Sequence, residues 1–193
     1  MTDKLFFRIS LAAALLALVV VVLGAYVRLS HAGLGCPDWP GCYGHLDVPV
    51  AEDEIQRANS AYPQRPVEVD KAWKEMIHRY LAGVLGLLIL ALAVLAWGRR
   101  RRPGQPVVLP LALLGLVIFQ SLLGMWTVTL LLKPVVVMAH LLGGLATLSL
   151  LVWLVLRQRP VSALGQASRW RPWALAGLVL LVGQIALGGW TSA

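Results

Sequence analysis

With 193 residues, 59% of them hydrophobic and 13% charged, the chain is too apolar for a soluble domain and reads as a polytopic helical membrane protein. Its formal charge of +8 does not point to nucleic acid, because the basic residues fall in short segments between apolar spans: Lys4 and Arg8, Arg99 to Arg102, then Arg157, Arg159, Arg169 and Arg171. That positive-inside pattern assigns these segments and the N-terminus to the cytoplasm; a bacterial inner membrane is the expected location. Of the nine acids, all but Asp3 lie between Asp38 and Glu75, in one long loop (30–74) that is then periplasmic.

The first span, 6–26, is long enough to cross a hydrocarbon layer of ~30 Å at 1.5 Å per residue. It resembles an uncleaved signal-anchor, since its apolar run exceeds that of a cleaved signal peptide. It runs out through Gly24 to Arg28, and Arg28 has two readings: snorkelling to lipid phosphates, or holding an anion above a cofactor.

The loop that follows opens with His31-Ala32-Gly33-Leu34-Gly35-Cys36-Pro37-Asp38-Trp39-Pro40-Gly41-Cys42. Its density of Gly, Pro and aromatic residues predicts a compact, turn-rich structure lying on the bundle. Cys36 and Cys42 face an oxidising compartment, which favours a disulfide; two free thiols or a metal pair are the alternatives. His31 and His45 read as solvated loop histidines. A short amphipathic helix is expected at 52–59, and Pro63 and Pro66 break the chain before a helix restarts near Val69.

The second span, 75–97, begins on Glu75-Met76-Ile77-His78-Arg79. Ionisable residues entering a membrane helix are costly and mark a functional site by default. Glu75 and His78, three apart, share a helix face. The third and fourth spans, 107–126 and 135–156, are joined by a link so short that they form an antiparallel hairpin. A fifth span covers 173–190. Its Gln184-Ile185-Ala186-Leu187-Gly188-Gly189-Trp190-Thr191 echoes Gln120-Ser121-Leu122-Leu123-Gly124-Met125-Trp126-Thr127 of the third span. The echo predicts a four-helix unit over 1–160, then a linker and the first helix of a second, truncated copy over 161–193.

Span two and span four both enter from outside, so His78 and His140 lie at similar depth in the outer leaflet. Two neutral imidazoles on opposed helices are the usual axial pair for a haem iron in a four-helix membrane bundle. A di-iron centre needs more carboxylates and a second Glu-x-x-His. The plain alternative is a histidine that only hydrogen-bonds a neighbouring helix. Gly83, Gly86, Gly143 and Gly144 near the pair allow close approach or leave room for a flat macrocycle. Arg28 and Arg79 are then candidates to meet its propionates.

At this point the chain resembles the haem A synthase family. The resemblance is carried by Gly24-x-x-x-Arg28-Leu29, Gly33-Leu34-x-Cys36-Pro37-Asp38-Trp39-Pro40-x-Cys42, Glu75-x-x-His78-Arg79, Gln120-x-x-Leu123-Gly124-x-x-Thr127-Val128 and His140. It implies an all-α fold of two similar four-helix halves, the first taking substrate haem O between His78 and His140, the second holding a haem b cofactor. The implied reaction oxidises a methyl group of haem O to the formyl of haem A, with Glu75 as the catalytic carboxylate and Cys36–Cys42 as a disulfide. It also implies a place between haem O synthase and cytochrome oxidase assembly, and an electron donor that the sequence does not name. A homo-oligomer is compatible with this. The second histidine pair does not occur in these residues, so the chain reads as a fragment or, alternatively, as a half-size member that dimerises. The competing functions are a non-catalytic bis-histidine cytochrome b or haem-binding factor, and a transporter with a broken repeat.

Overall fold

The computed structural model of the chain describes residues 4–158 and 167–192, and the described part is all helical: α1 Lys4–Leu29, α2 Glu52–Ala61, α3 Val69–Gly98, α4 Val108–Thr129, α5 Pro134–Leu156 and α6 Ala167–Ser192. Five of these, all but α2, contain segments long and apolar enough to cross a membrane. The polytopic helical bundle read from the sequence is therefore the observed fold. Residues 159–166, where the expected linker begins, lie outside the described residues.

The boundaries follow local chemistry. Pro134 sits in the first turn of α5, where its missing N–H costs nothing. The α4–α5 connection turns on Leu131 and Leu132, both at positive φ (54° and 55°), which folds the two helices back as the expected hairpin. α2 carries Glu52, Asp53 and Glu54 in its first turn, complementing the helix dipole. α3 starts six residues before Glu75, so Glu75 and His78 occupy its second and third turns. The preceding turn, with Asp70, Lys71 and Lys74, is tied by short-range ion pairs (Lys74–Asp70 2.6 Å, Lys71–Glu68 2.7 Å).

α1 packs on α3, α3 on α4, α4 on α5 and α5 back on α1, closing a four-helix ring, while α6 attaches to α5 from outside. α3 and α5 are diagonal in that ring. The interior has two packed cores. One lies toward the end of the bundle carrying Arg99 to Arg102: Phe6, Ala13 and Ala17 of α1 meet Leu85, Ile89 and Leu92 of α3, Leu113 of α4, and Leu151 and Leu154 of α5. The small α1 residues permit close helix approach. Gln158 closes this end, its Nε2 donating to Ser10 Oγ (3.1 Å). The other core lies under the loop, where Cys36, Cys42, Tyr43, Val48 and Ala58 pack on Ala72 and Met76 of α3.

The loop is built as its composition suggests. Cys36 and Cys42 form a disulfide with Cα atoms 4.8 Å apart. Between them, Asp38 accepts the backbone N–H groups of Tyr43 (2.6 Å) and Gly44 (2.7 Å), holding a turn in which Gly44 takes φ +80°. The Tyr43 hydroxyl donates to the Pro66 carbonyl (3.2 Å). Burial, followed by the charge of Glu68, pushes its pKa up and keeps it a neutral donor.

Gly35 is where the loop touches α3. A Cβ there would lie 2.6 Å from the Lys71 carbonyl carbon and 2.8 Å from the Ala72 nitrogen, both backbone atoms. Gly35→Ala is expected to lift the loop off α3 and to destabilise by about 1–3 kcal/mol or more. Thermal unfolding of the purified variant in detergent measures this, and an unchanged midpoint would mean that the loop docks elsewhere.

Candidate functional site

Between the two cores lies a layer of different character. Residues 18–26 of α1, 77–84 of α3 and 134–146 of α5 contribute no fully buried residue, although each stretch lies within a bundle helix. His78 and His140 belong to this layer, on the diagonal pair α3 and α5, within electrostatic reach of one another.

Glycines on the other two helices cradle the rings. A Cβ on Gly24 of α1 would lie 3.0 Å from His78 Cε1, and one on Gly124 of α4 would lie 3.4 Å from His140 Cε1. Each ring also makes polar contact with backbone of its cradling helix, Val20 for His78 and Gln120 for His140. In both rings Nδ1 is sealed from solvent and has no hydrogen-bond partner. Buried polar atoms are nearly always satisfied, so a matched pair of orphaned imidazole nitrogens is an unusual expense for a structural core. Such nitrogens, glycine cradles and a loosely filled layer suit a flat ring with a central metal; the donor set fits a bis-imidazole haem.

Above the histidines, Glu75 and Arg79 join α3 to the loop. Glu75 is 5% exposed; its Oε2 accepts the Cys36 backbone N–H (3.0 Å) and its Oε1 pairs with Arg79 Nη2. Arg79 Nη1 donates to the carbonyls of Asp38 (3.0 Å), Pro40 (3.3 Å) and Gly41. The guanidinium is thus engaged by protein. Arg28, one turn beyond Gly24 on α1, has a buried Nε with no partner. Cys36 reaches the site through its N–H on Glu75. His31 and His45 are exposed, in keeping with solvated loop histidines, and His45 joins Cys42 through a two-residue bridge of backbone hydrogen bonds.

Two features escaped sequence reasoning. One is the anchoring of the loop by Arg79, which no spacing rule predicts across 38 to 41 residues. The other is Gln120, 8% exposed, whose amide nitrogen and oxygen both lack partners. A glutamine in an otherwise apolar span was the available signal.

The profile of the COX15-CtaA family, described as cytochrome oxidase assembly protein, matches residues 7–193. The chain is 53% identical over 178 residues to a haem A synthase of Shewanella oneidensis, covering 91% of this chain and 53% of that protein. It is 30% identical over 194 residues to a haem A synthase of Caulobacter vibrioides, covering 91% of this chain and 56% of the relative. The same identity holds over 195 residues with that of Caulobacter sp. strain K31, with the same coverage. The chain spans about half the length of these curated relatives.

Proposed function

The chain belongs to the COX15-CtaA family of cytochrome oxidase assembly proteins, and from that premise we propose that it forms the substrate-binding half of a haem A synthase. In this reading residues 1–160 are the four-helix unit that takes haem O, and α6 opens a second unit. A haem b cofactor would, in this reading, belong to the second unit. The observation that carries the reading is the pair of imidazoles on diagonal helices, each with a buried Nδ1 that lacks a partner and each against a glycine.

His78 and His140 would hold the iron of the substrate haem. Haem O held there would supply the methyl group; taking it to a formyl adds one oxygen atom and removes four electrons, which pass to an external oxidant. Arg28, with its unpartnered Nε, is better placed than the engaged Arg79 to meet a propionate near the loop end, where carboxylates reach polar surroundings. Glu75 sits one turn from His78 on the same helix and, held by Arg79 and the Cys36 N–H, is fixed in orientation. We assign it the role of accepting a proton as the methyl is oxidised. The distribution of basic residues supports an inner-membrane protein with the Arg99 to Arg102 end in the cytoplasm and the 30–74 loop in the periplasm. The product would pass to cytochrome oxidase assembly.

The test is the pigment extracted from the purified full-length protein. Haem O, hydroxylated intermediates or haem A support the synthase; unmodified haem b alone would leave a non-catalytic cytochrome. Glu75→Gln should keep the low-spin haem spectrum while lowering haem A formation by about a hundredfold or more, the usual scale for a lost general base. Full haem A formation in that variant would reduce Glu75 to a loop anchor.

A further inference from the structure

We infer that Gln120 is a substrate-recognition residue, whose side-chain amide hydrogen-bonds a neutral polar group on the membrane-facing edge of the bound macrocycle, namely the hydroxyl of haem O. The inference deepens the haem reading above and rests on it.

A glutamine amide offers two donors and a two-lone-pair acceptor, and in Gln120 neither the nitrogen nor the oxygen has a partner. Polar side chains in membrane helices are tolerated when they bond a neighbouring helix. Gln120 lies against α5 without doing so: its amide nitrogen occupies the place where a Cβ on residue 143 would be. Substitution of a buried amide by an apolar group would remove an unsatisfied group from the interior, so packing gives no reason for glutamine here. Within the layer that holds the histidines, α1, α3 and α5 supply no fully buried residue, whereas α4 supplies Gln120 and Leu123, of which only Gln120 is polar.

Its position tells which ligand group it meets. Gln120 contacts His140 through its backbone and Gly143 through its side chain. Gly143 is one turn along α5 from His140, away from the loop and toward the Arg99 to Arg102 end. The amide is therefore deeper in the membrane than the histidines. A dicarboxylate macrocycle turns its charged edge toward the loop end and Arg28, since charge at the bilayer centre is expensive. The opposite edge faces the depth of Gln120. On that edge haem O carries a hydroxylated alkyl group where haem B carries a vinyl. An amide with free donors and acceptor in apolar surroundings distinguishes the two, because a site built to bond a hydroxyl rejects the analogue lacking it.

The experiment is optical titration of the purified full-length protein, with its haem b site filled and its haem O site emptied, read as the spectrum added by each of three probes: haem O, haem B, and iron haematoporphyrin, which has hydroxyethyl groups in place of vinyls and no isoprenoid tail. Wild type is compared with Gln120→Met, which keeps the length and loses the hydrogen bonds. The expected result is a loss of about fivefold to tenfold in affinity for haem O and for iron haematoporphyrin, with haem B affinity unchanged. Unchanged haem B binding also certifies that the variant is folded. Equal losses for all three probes, or no loss for any, would overturn the inference. Failure of wild type to add a bis-imidazole spectrum with any probe would overturn the haem site itself, a distinct outcome.

Discussion

His78→Ala and His140→Ala are each expected to lower the haem O and haem A bound in the purified protein by more than tenfold and to remove that haem's share of the low-spin bis-imidazole spectrum. The two rings come from α3 and α5, the diagonal pair of the helix ring, so removing either would leave the iron with one of its two imidazoles. Each is set by a glycine on a different helix, Gly24 or Gly124, and each has a buried nitrogen that the protein leaves unbonded. A purely structural histidine would be expected to have both ring nitrogens bonded, whereas here Nδ1 of each is not. His31→Ala and His45→Ala serve as controls, because both side chains are exposed on the loop and their loss should leave the spectrum intact. Haem content by pigment extraction, with the optical spectrum, decides the matter. Retention of haem at the wild-type level by both core variants would make the pair a packing feature and send the search for the site elsewhere.

How much of this was legible in the sequence depends on whether the information was local. Apolar runs bounded by arginines gave the five spans, and Pro134 gave the start of α5, because helix length and capping are properties of neighbouring residues. The common depth of His78 and His140 followed from counting turns along two helices that enter from one side. The start of α3 near Val69 was legible as well, because Pro63 and Pro66 break the chain just before it. What was not legible is what depends on a distant contact. Nothing in the order of residues says that Gly35 lies on the backbone of Lys71, or that the Gln120 amide fills the space beside Gly143. Glu75 and Arg79 are four apart on one helix, a spacing that allows the pair they form. The three loop carbonyls on the same guanidinium were not foreseeable from it.

Those carbonyls make Arg79→Ala the substitution with the largest expected cost to stability. The Glu75–Arg79 pair is almost sealed, with side-chain exposures of 6% and 13%, so breaking it strands a carboxylate rather than returning it to water. The Cys36 N–H remains on Oε2, but Oε1 loses its cation, and the carbonyls of Asp38, Pro40 and Gly41 lose their shared donor. Removing one partner of a buried pair costs about 3–5 kcal/mol, which for a domain of this size lowers the unfolding midpoint by on the order of 10 °C. The contrast is Arg57–Asp53, whose side chains are both 69% exposed; Arg57→Ala should change stability by less than ~0.5 kcal/mol. Thermal unfolding in detergent compares the two, and the sealed pair should resist high salt because screening acts weakly on buried charges. A second substitution separates the stranded charge from the lost loop contacts. Adding Glu75→Gln to Arg79→Ala removes the uncompensated carboxylate but restores none of the carbonyl bonds, so the double variant should recover part of the loss. If it recovers nothing, the carbonyls carry the whole effect, and Arg79 acts as a loop clamp for which the ion pair is incidental.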